Sequence, residues 1–283
     1  MKLVRFGQPG REKPGIVDSE GNIRDLSSVV PDLAGEALSP KGLAKIAKAK
    51  IDKLPKVRAG TRLGACVGGV GNFIAIGLNY SDHAAEAGMQ VPKEPIIFNK
   101  APSCICGPND DTMYPKDAKK LDYEIELGVV IGTRARYLSK SKAMDVVAGY
   151  CISNDVSERE FQIERAGQWT KGKGCETFGP LGPWLVTKDE IKNPQNLDML
   201  LTVNGETRQK GNTKTMVFGV AHLVWYCSQF MVLEPGDVIA TGTPPGVGLG
   251  IKPEPKFLKA GDVVRLTIGG LGEQQQKVVK FKM

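Results

Sequence analysis

The spacing of apolar positions predicts a chain made mostly of short strands. Leu3-Val4-Arg5-Phe6 and Gly15-Ile16-Val17 are extended runs, and the turn cluster Asp18-Ser19-Glu20-Gly21-Asn22 before Ile23 and Leu26 predicts a hairpin. Leu43, Ile46, Ala47, Ile51 and Leu54 recur at the helical period, with Ser39 placed as an N-cap and Pro40 at the first helical position. Gly64, Gly68, Gly69 and Gly71 then mark a boundary between a small N-terminal unit, 1–70, and a larger one, 71–283.

In the larger unit the pattern predicts strands at Phe73 to Gly77, Pro95 to Lys100, Tyr123 to Ile131 and Val146 to Ser153. A short helix is expected from Asn79, stopped by Gly88. Ser157-Glu158-Arg159-Glu160 has capping-box form and predicts a helix ending near Gly167. Asn204-Gly205 is a strong hairpin signal, residues 218–231 read as a largely buried helix, and a closing hairpin ends near Phe281. There is no repeat and no regular strand–helix alternation, so the fold class is α+β, mainly β.

Composition changes this picture little. Of 283 residues, 41 % are hydrophobic and 24 % charged, which excludes disorder as the main state, and 34 Gly with 18 Pro fit many turns better than a helical bundle. The most apolar stretch, Gly219 to Leu233, carries His222, Ser228 and Gln229 and is too short to span a bilayer. His222, in an otherwise apolar helix, reads as a core histidine. No apolar leader is visible at the N-terminus, and the expected location is cytoplasmic. The six Cys are scattered, with no CxxC, so free thiols are expected rather than zinc or a disulfide framework.

The formal charge of +7 is concentrated in Lys41, Lys45, Lys48, Lys50, Lys53, Lys56, Arg58 and Arg62, against Asp52 alone. A nucleic-acid-binding protein would put aromatic side chains beside such charge, and this segment has none, so a solvated helix face is the plainer reading. Neither a nucleic acid nor a membrane is expected as a partner. A small anionic substrate suits the charge weakly.

The sharpest chemical signal is Asp122-Tyr123-Glu124-Ile125-Glu126-Leu127. On a strand, Glu124 and Glu126 project from one face with Cβ atoms roughly 7 Å apart. Two such carboxylates repel unless they are solvated or bridged by a cation. Asp155, 29 positions after Glu126, ends the next apolar strand, so three carboxylates converge if the two strands are neighbours. An all-oxygen site of this kind selects Mg2+, Mn2+ or Ca2+; the alternative is an acidic strand face in water. His83 and Glu86, at i and i+3 on a helix, could form a general-base pair or a plain surface pair. Trp169-Thr170-Lys171-Gly172-Lys173-Gly174 reads as a flexible loop carrying cations. Thr241 to Gly248 could bring backbone N–H groups to a carboxylate, and without GK[ST] it is not a phosphate loop.

Taken together, GLNYSDHAAE (77–86), FNKAPS (98–103), DYEIELGVVIG (122–132), SNDVSEREFQ (153–162), WTKGKGCETFGPLGP (169–183) and TGTPPGVG (241–248) resemble the fumarylacetoacetate hydrolase family, in order. The resemblance implies a mixed β-sandwich or roll behind a small N-terminal α+β domain, usually as a homodimer. It implies Glu124, Glu126 and Asp155 as ligands of Mg2+, with Mn2+ or Ca2+ as substitutes. His83, Glu86 and Lys173 match the family's catalytic positions, and Lys100, Arg159, Gln162 and Thr243 its substrate-contacting ones. Two departures bear on substrate: Gly174-Cys175 replaces a Ser found in many members, and Ala166 a Tyr of the larger ones.

The implied chemistry is an enolate beside a carboxylate. The expected reaction is C–C hydrolysis of an acylpyruvate-type 2,4-diketo acid, and the chain as a whole, its lead-in segment and residues 211–248 included, is most similar to members acting on 2,4-diketo-3-deoxy sugar acids such as rhamnonate or fuconate derivatives. Isomerisation of 2-hydroxyhepta-2,4-diene-1,7-dioate, decarboxylation of oxaloacetate and ureidoglycolate lysis are alternatives on the same fold. A basic nucleic-acid-binding protein is the non-enzyme alternative.

Overall fold

A computed structural model describes residues 1–86 and 90–281, the side chains of residues 83–85 excepted. Two sheets dominate. The larger, of ten strands, runs Ile23–Asp25, Lys13–Val17, Lys2–Phe6, Gly179–Thr187, Val147–Asn154, Ile125–Ile131, Val238–Ala240, Phe73–Gly77, Ile96–Lys100, with Ile105–Cys106 beside Gly179–Thr187. Most pairs are antiparallel; Val238–Ala240 with Phe73–Gly77 and Ile105–Cys106 with Gly179–Thr187 are parallel. The second sheet orders Glu206–Asn212, Asp198–Val203, Val263–Ile268, Gly272–Val279 and Thr112–Met113. Buried Gln274 ties them, donating to the carbonyls of Ile152 and Gly182. The chain is therefore mainly β with mixed sheets, as its sequence pattern implies.

The two central strands are apolar apart from Glu126, Ser153 and Asn154 at the site end, because both of their faces are covered. Every residue of Ile125–Ile131 and of Val147–Asn154 is buried. They pair antiparallel, with Glu126 opposite Ser153 and Ile125 opposite Asn154. That register carries the next residue, Asp155, back beside Glu124. Residues 1–70 supply three strands to this same sheet, joined where Leu3 pairs with Leu185.

Several local expectations are met. Ser39 accepts from Gly42 N at 3.0 Å at the start of helix Pro40–Ala47. Asn204 and Gly205 both take positive φ, as a type I′ hairpin turn needs. The lysines from Lys41 to Lys56 face solvent while Ile46 is buried. The six cysteines are free thiols. Among the described residues no helix is long and apolar enough to cross a membrane.

Helix Val220–Phe230 differs from expectation. It buries Val220, Leu223, Val224, Cys227 and Ser228 only. Its other face is an aromatic series, in which His222 stacks on Phe218 at 5.1 Å and Phe230 meets Tyr226 at 4.8 Å. His222 is thus half-buried among surface rings rather than a core residue. Counting apolar residues hid this, because aromatic side chains can cover one another without entering the core.

The predicted turn at Asp18 gives an acid-sensitive element. Arg24 Nε donates to the Asp18 carboxylate at 2.7 Å, and the backbone N–H groups of Glu20 and Asn22 add to it. The Arg24 bond, outweighing desolvation, lowers the Asp18 carboxyl from 3.8 to about 2. A lowered carboxyl contributes stability above its unfolded value, and that contribution is lost as pH falls from 3.8 through about 2. Asp18→Asn is expected to flatten the acid limb of a melting-temperature profile; an unchanged slope below about pH 4 would count against it.

Candidate metal and substrate site

The site forms where the ends of the central strands meet two loops. Glu126 is in the strand Ile125–Ile131, but Glu124 lies in a break between Leu121–Asp122 and that strand, not on a continuous strand as its spacing implies. The break is stabilised from across the sheet: Asn154 Oδ1 accepts from Glu124 N at 3.1 Å, and Asp155 N donates to Glu124 O at 2.9 Å. The result still brings the three carboxylates together. Oxygens of Glu124, Glu126 and Asp155 lie within 4.8 Å of one another, all buried.

Two further segments depart from their sequence pattern. Ser157 does not cap a helix: its hydroxyl donates to Asp155 O, and Ser157–Glu158 pairs with Leu121–Asp122. Glu158 is buried and accepts from the N–H groups of Lys119, Lys120 and Phe161, so it supplies the cap for the single π-helical turn Glu160–Glu164. The segment around Lys173 is not a loose loop but a helical turn, Thr170–Lys173. It lies flush on the backbone of 158–162, because a Cβ at Gly172 would come within 2.4 Å of Glu158 O. This close approach drives Lys173 inward, 2 % exposed.

Three buried cations surround the carboxylates. Lys173 Nζ donates to Glu124 Oε2 at 2.8 Å and to Asp155 Oδ2 at 2.7 Å. Lys100 Nζ donates to Asp155 Oδ1 at 2.5 Å and to Lys173 O. Arg159 donates to Glu124 Oε1 at 2.6 Å, to Asp122 Oδ2 at 2.8 Å and to Gln162 Oε1 at 3.0 Å. Asp122 also accepts from Gly248 N and Leu249 N, tying the 241–250 loop to Arg159. Glu126 differs from its neighbours: its recorded partner is one backbone donor, Gly242 N, at 2.9 Å.

These surroundings set the charge states. Burial by itself would raise Glu124, but Lys173 and Arg159 outweigh it and hold this carboxyl below the usual range. Burial would likewise discharge Lys173, but Asp155 and Glu124 outweigh it, so the ammonium is retained. Glu126 goes the other way. Burial pushes its carboxyl well up, and the neighbouring charges of Asp155 and Glu124 add to the push. Asp122, Glu124 and Asp155 face three cations, Lys100, Arg159 and Lys173, so ionising Glu126 as well would add one negative charge that no side chain of the cluster balances. A buried all-oxygen cluster in which that charge awaits a counterion fits a hard divalent cation, and each carboxylate oxygen that accepts from a lysine or arginine has a second lone pair to offer.

Glu124, Glu126 and Lys173 form the floor of a cavity of about 320 Å³. Its lining includes Glu86, Glu124, Glu126, Arg159, Gln162, Lys173 and Thr243, so Arg159, Gln162 and Thr243 share one space with two of the three carboxylates. Lys100 sits behind, against Asp155. Thr243 is 4 % exposed; its hydroxyl donates to Ile125 O and accepts from Gln209 Nε2. Glu86, on helix Ser81–Glu86, accepts from Gly246 N at 3.0 Å. The His83 side chain lies outside the described ones. The loop 241–248 does present N–H groups to carboxylates, but to the protein's own Glu126, Glu86 and Asp122. Sequence reasoning missed Asp122, Asn154 and Gln209; for Asp122 the signal was present, two positions before Glu124 in the same acidic alternation.

A mixed-sheet fold with this buried carboxylate and lysine cluster defines a candidate metal-binding site, and its relatives give the class. The fumarylacetoacetate (FAA) hydrolase C-terminal family matches residues 72–279, and the chain belongs to that family of enzymes. A relative from Burkholderia cenocepacia, provisionally named a hydrolase, is 63 % identical over 276 residues, covering 98 % of both chains. The fumarylacetoacetate hydrolase of Exiguobacterium antarcticum is 38 % identical, covering 99 % of this chain and 100 % of its own, with a TM-score of 0.86. The maleylpyruvate hydrolase of Sphingobium sp. SYK-6, solved with manganese(II) and pyruvate, is 30 % identical over the whole of both chains, with a TM-score of 0.81.

Proposed function

We propose that this enzyme hydrolyses a C–C bond of an acylpyruvate-type 2,4-diketo acid, giving pyruvate and a carboxylic acid. The observation that carries the reading is the buried carboxylate cluster with Lys173 at its centre, on the floor of a cavity that also holds Arg159, Gln162 and Thr243. The manganese and pyruvate of the Sphingobium relative support it.

In this reading Glu124, Glu126 and Asp155 hold Mg2+, which when bound supplies a Lewis acid for an enolate next to a carboxylate. Lys173, held as a cation, adds positive charge near the developing enolate oxygen. Arg159, Gln162 and Thr243 orient the substrate's carboxylate end. His83, oriented by Glu86, takes a proton from the water that attacks C4. The C3–C4 bond breaks, its electron pair passes to C3, and protonation there releases pyruvate; the C4 fragment leaves as the acid.

The test is pyruvate release from a panel of 2,4-diketo acids with and without EDTA. We expect release that EDTA abolishes and Mg2+ restores. Brisk oxaloacetate decarboxylation or double-bond isomerisation without pyruvate from any diketo acid would overturn the hydrolase assignment. His83→Ala is expected to lower hydrolysis by about 10²–10⁴-fold, the range for losing a general base, while sparing divalent-ion binding. Normal hydrolysis by that variant would remove His83 from the mechanism. The nucleic-acid alternative predicts salt-sensitive retention of RNA or DNA that survives Glu124→Ala. We also propose a homodimer, supported by the exposed aromatic patch of Tyr137 and Phe230; light scattering should give about twice 30.5 kDa.

A further inference from the structure

The cavity has a second end with different chemistry. Its polar floor stops at Lys173, whose Nζ lies 5.4 Å from the centre of the Phe98 ring. Beyond it Phe98 meets Trp169 edge to face, with centroids 5.1 Å apart. Both rings line the cavity. So do Ile163 and Leu249, which are 52 % and 38 % exposed. Large apolar side chains open to water beside a cavity cost solvation unless something covers them in use.

The position of Trp169 is set from beneath. A Cβ on Gly77 would lie 2.7 Å from indole Cζ3 and 3.0 Å from Cη2, so the ring occupies the space a side chain would take on that strand. Most of the polar side chains lining the cavity belong elsewhere. Arg159 is tied to Glu124, Gln162 Oε1 accepts from Arg159, Thr243 is tied to the wall, and Glu86 accepts from Gly246 N. Lys252 remains as a charged lining residue, exposed to solvent. A tail bearing a hydroxyl on each carbon would leave those hydroxyls against indole and phenyl faces without partners, and that is costly.

We infer that the group carried on the C4 carbonyl is an apolar tail, alkyl or aryl, and that Phe98, Trp169, Ile163 and Leu249 select it. The inference rests on the proposed 2,4-diketo acid reading and names the substrate class within it. It sets aside polyhydroxylated sugar-acid tails. Each methylene buried on this shelf should raise kcat/KM about fourfold.

The experiment compares kcat/KM for acetylpyruvate, pentanoylpyruvate, benzoylpyruvate and a 2,4-diketo acid hydroxylated at every tail carbon. Pentanoyl- and benzoylpyruvate should exceed acetylpyruvate by about tenfold or more, and the hydroxylated acid should be the poorest. In Trp169→Ala, and in Gly77→Ala, which pushes on the indole without removing it, the pentanoyl-to-acetyl ratio should fall toward one. A preference for the hydroxylated tail would overturn the inference. So would a ratio unchanged in both variants, or a preference for a tail-borne carboxylate that Lys252→Ala abolishes. If no diketo acid releases pyruvate, the reaction assignment fails, and the tail is then read by calorimetric binding of straight-chain and polyhydroxylated 2-oxo acids with Mn2+. Tighter straight-chain binding that Trp169→Ala weakens sustains the inference; equal or reversed binding overturns it.

Discussion

Glu126→Gln is expected to reduce pyruvate release by roughly three orders of magnitude, about 4 kcal/mol at 1.36 kcal/mol per tenfold, while the protein stays folded. The expectation follows from the asymmetry of the cluster. Glu124 and Asp155 are each tied to two cations, whereas the recorded partner of Glu126 is Gly242 N. Its negative charge therefore adds little to the fold. Burial and its two acidic neighbours already disfavour that charge, so a neutral amide of the same shape should be tolerated. A carboxyl whose folded pKa is raised contributes stability below its unfolded value and loses it as pH rises through the folded one. Metal-free wild type should then melt at or below the variant near neutral pH. Excess Mn2+ should reverse the order, because stabilisation by a bound ion grows as RT ln(1 + [ion]/Kd) and the variant has lost a ligand. Equal Mn2+ affinity in titration calorimetry would remove Glu126 from the ligand set.

Lys173→Met should damage both fold and activity. The ammonium lies within 2.8 Å of Glu124 and 2.7 Å of Asp155 and is 2 % exposed, so its removal leaves two buried carboxylates facing each other. Breaking one partner out of a buried ion pair costs about 3–5 kcal/mol, and urea titration would measure it. The pH dependence gives the sign. In the wild type Glu124 is held low, so its contribution is present above 4.5 and is lost in acid. Without Lys173, Arg159 alone opposes burial and the Asp122 charge, so that carboxyl rises, and the deficit should be largest near neutrality and shrink as pH falls. A deficit independent of pH would mean that Lys173 acts through packing alone. The pyruvate-forming activity of the variant should fall by about 10²–10³-fold, the size seen when one electrostatic donor is lost.

Much of this molecule was legible in local pattern. The strands at Phe73–Gly77 and Ile96–Lys100, the Asn204-Gly205 turn and the Ser39 cap each depend on neighbours a few residues away, and a short window contains them. The failures share a cause. The capping box at Ser157 was valid as local chemistry, but Leu121–Asp122 claimed that segment as a strand partner, and Glu158 took over the cap. Helix Val220–Phe230 was apolar enough to be a core element, yet its aromatic face lies outward. Local pattern left Lys171 and Lys173 alike in a cationic loop, and the family resemblance alone picked Lys173; the close seating of Gly172 on Glu158 O is what sends it inward.

The sequence by itself determined the inventory: which strands could form, which acids recur at alternate positions, and which family the six motifs belong to. Only the tertiary structure decided that Glu124 leaves the strand and still meets Asp155, that Lys173 lies between them, that Glu126 is the acid whose charge burial disfavours, and that an aromatic shelf rather than polar groups continues the cavity. The physical reason is that convergence across 29 positions depends on strand register, and ionisation depends on burial and on charges from distant segments. Both are sums over neighbours brought together by folding, which no stretch of adjacent residues contains.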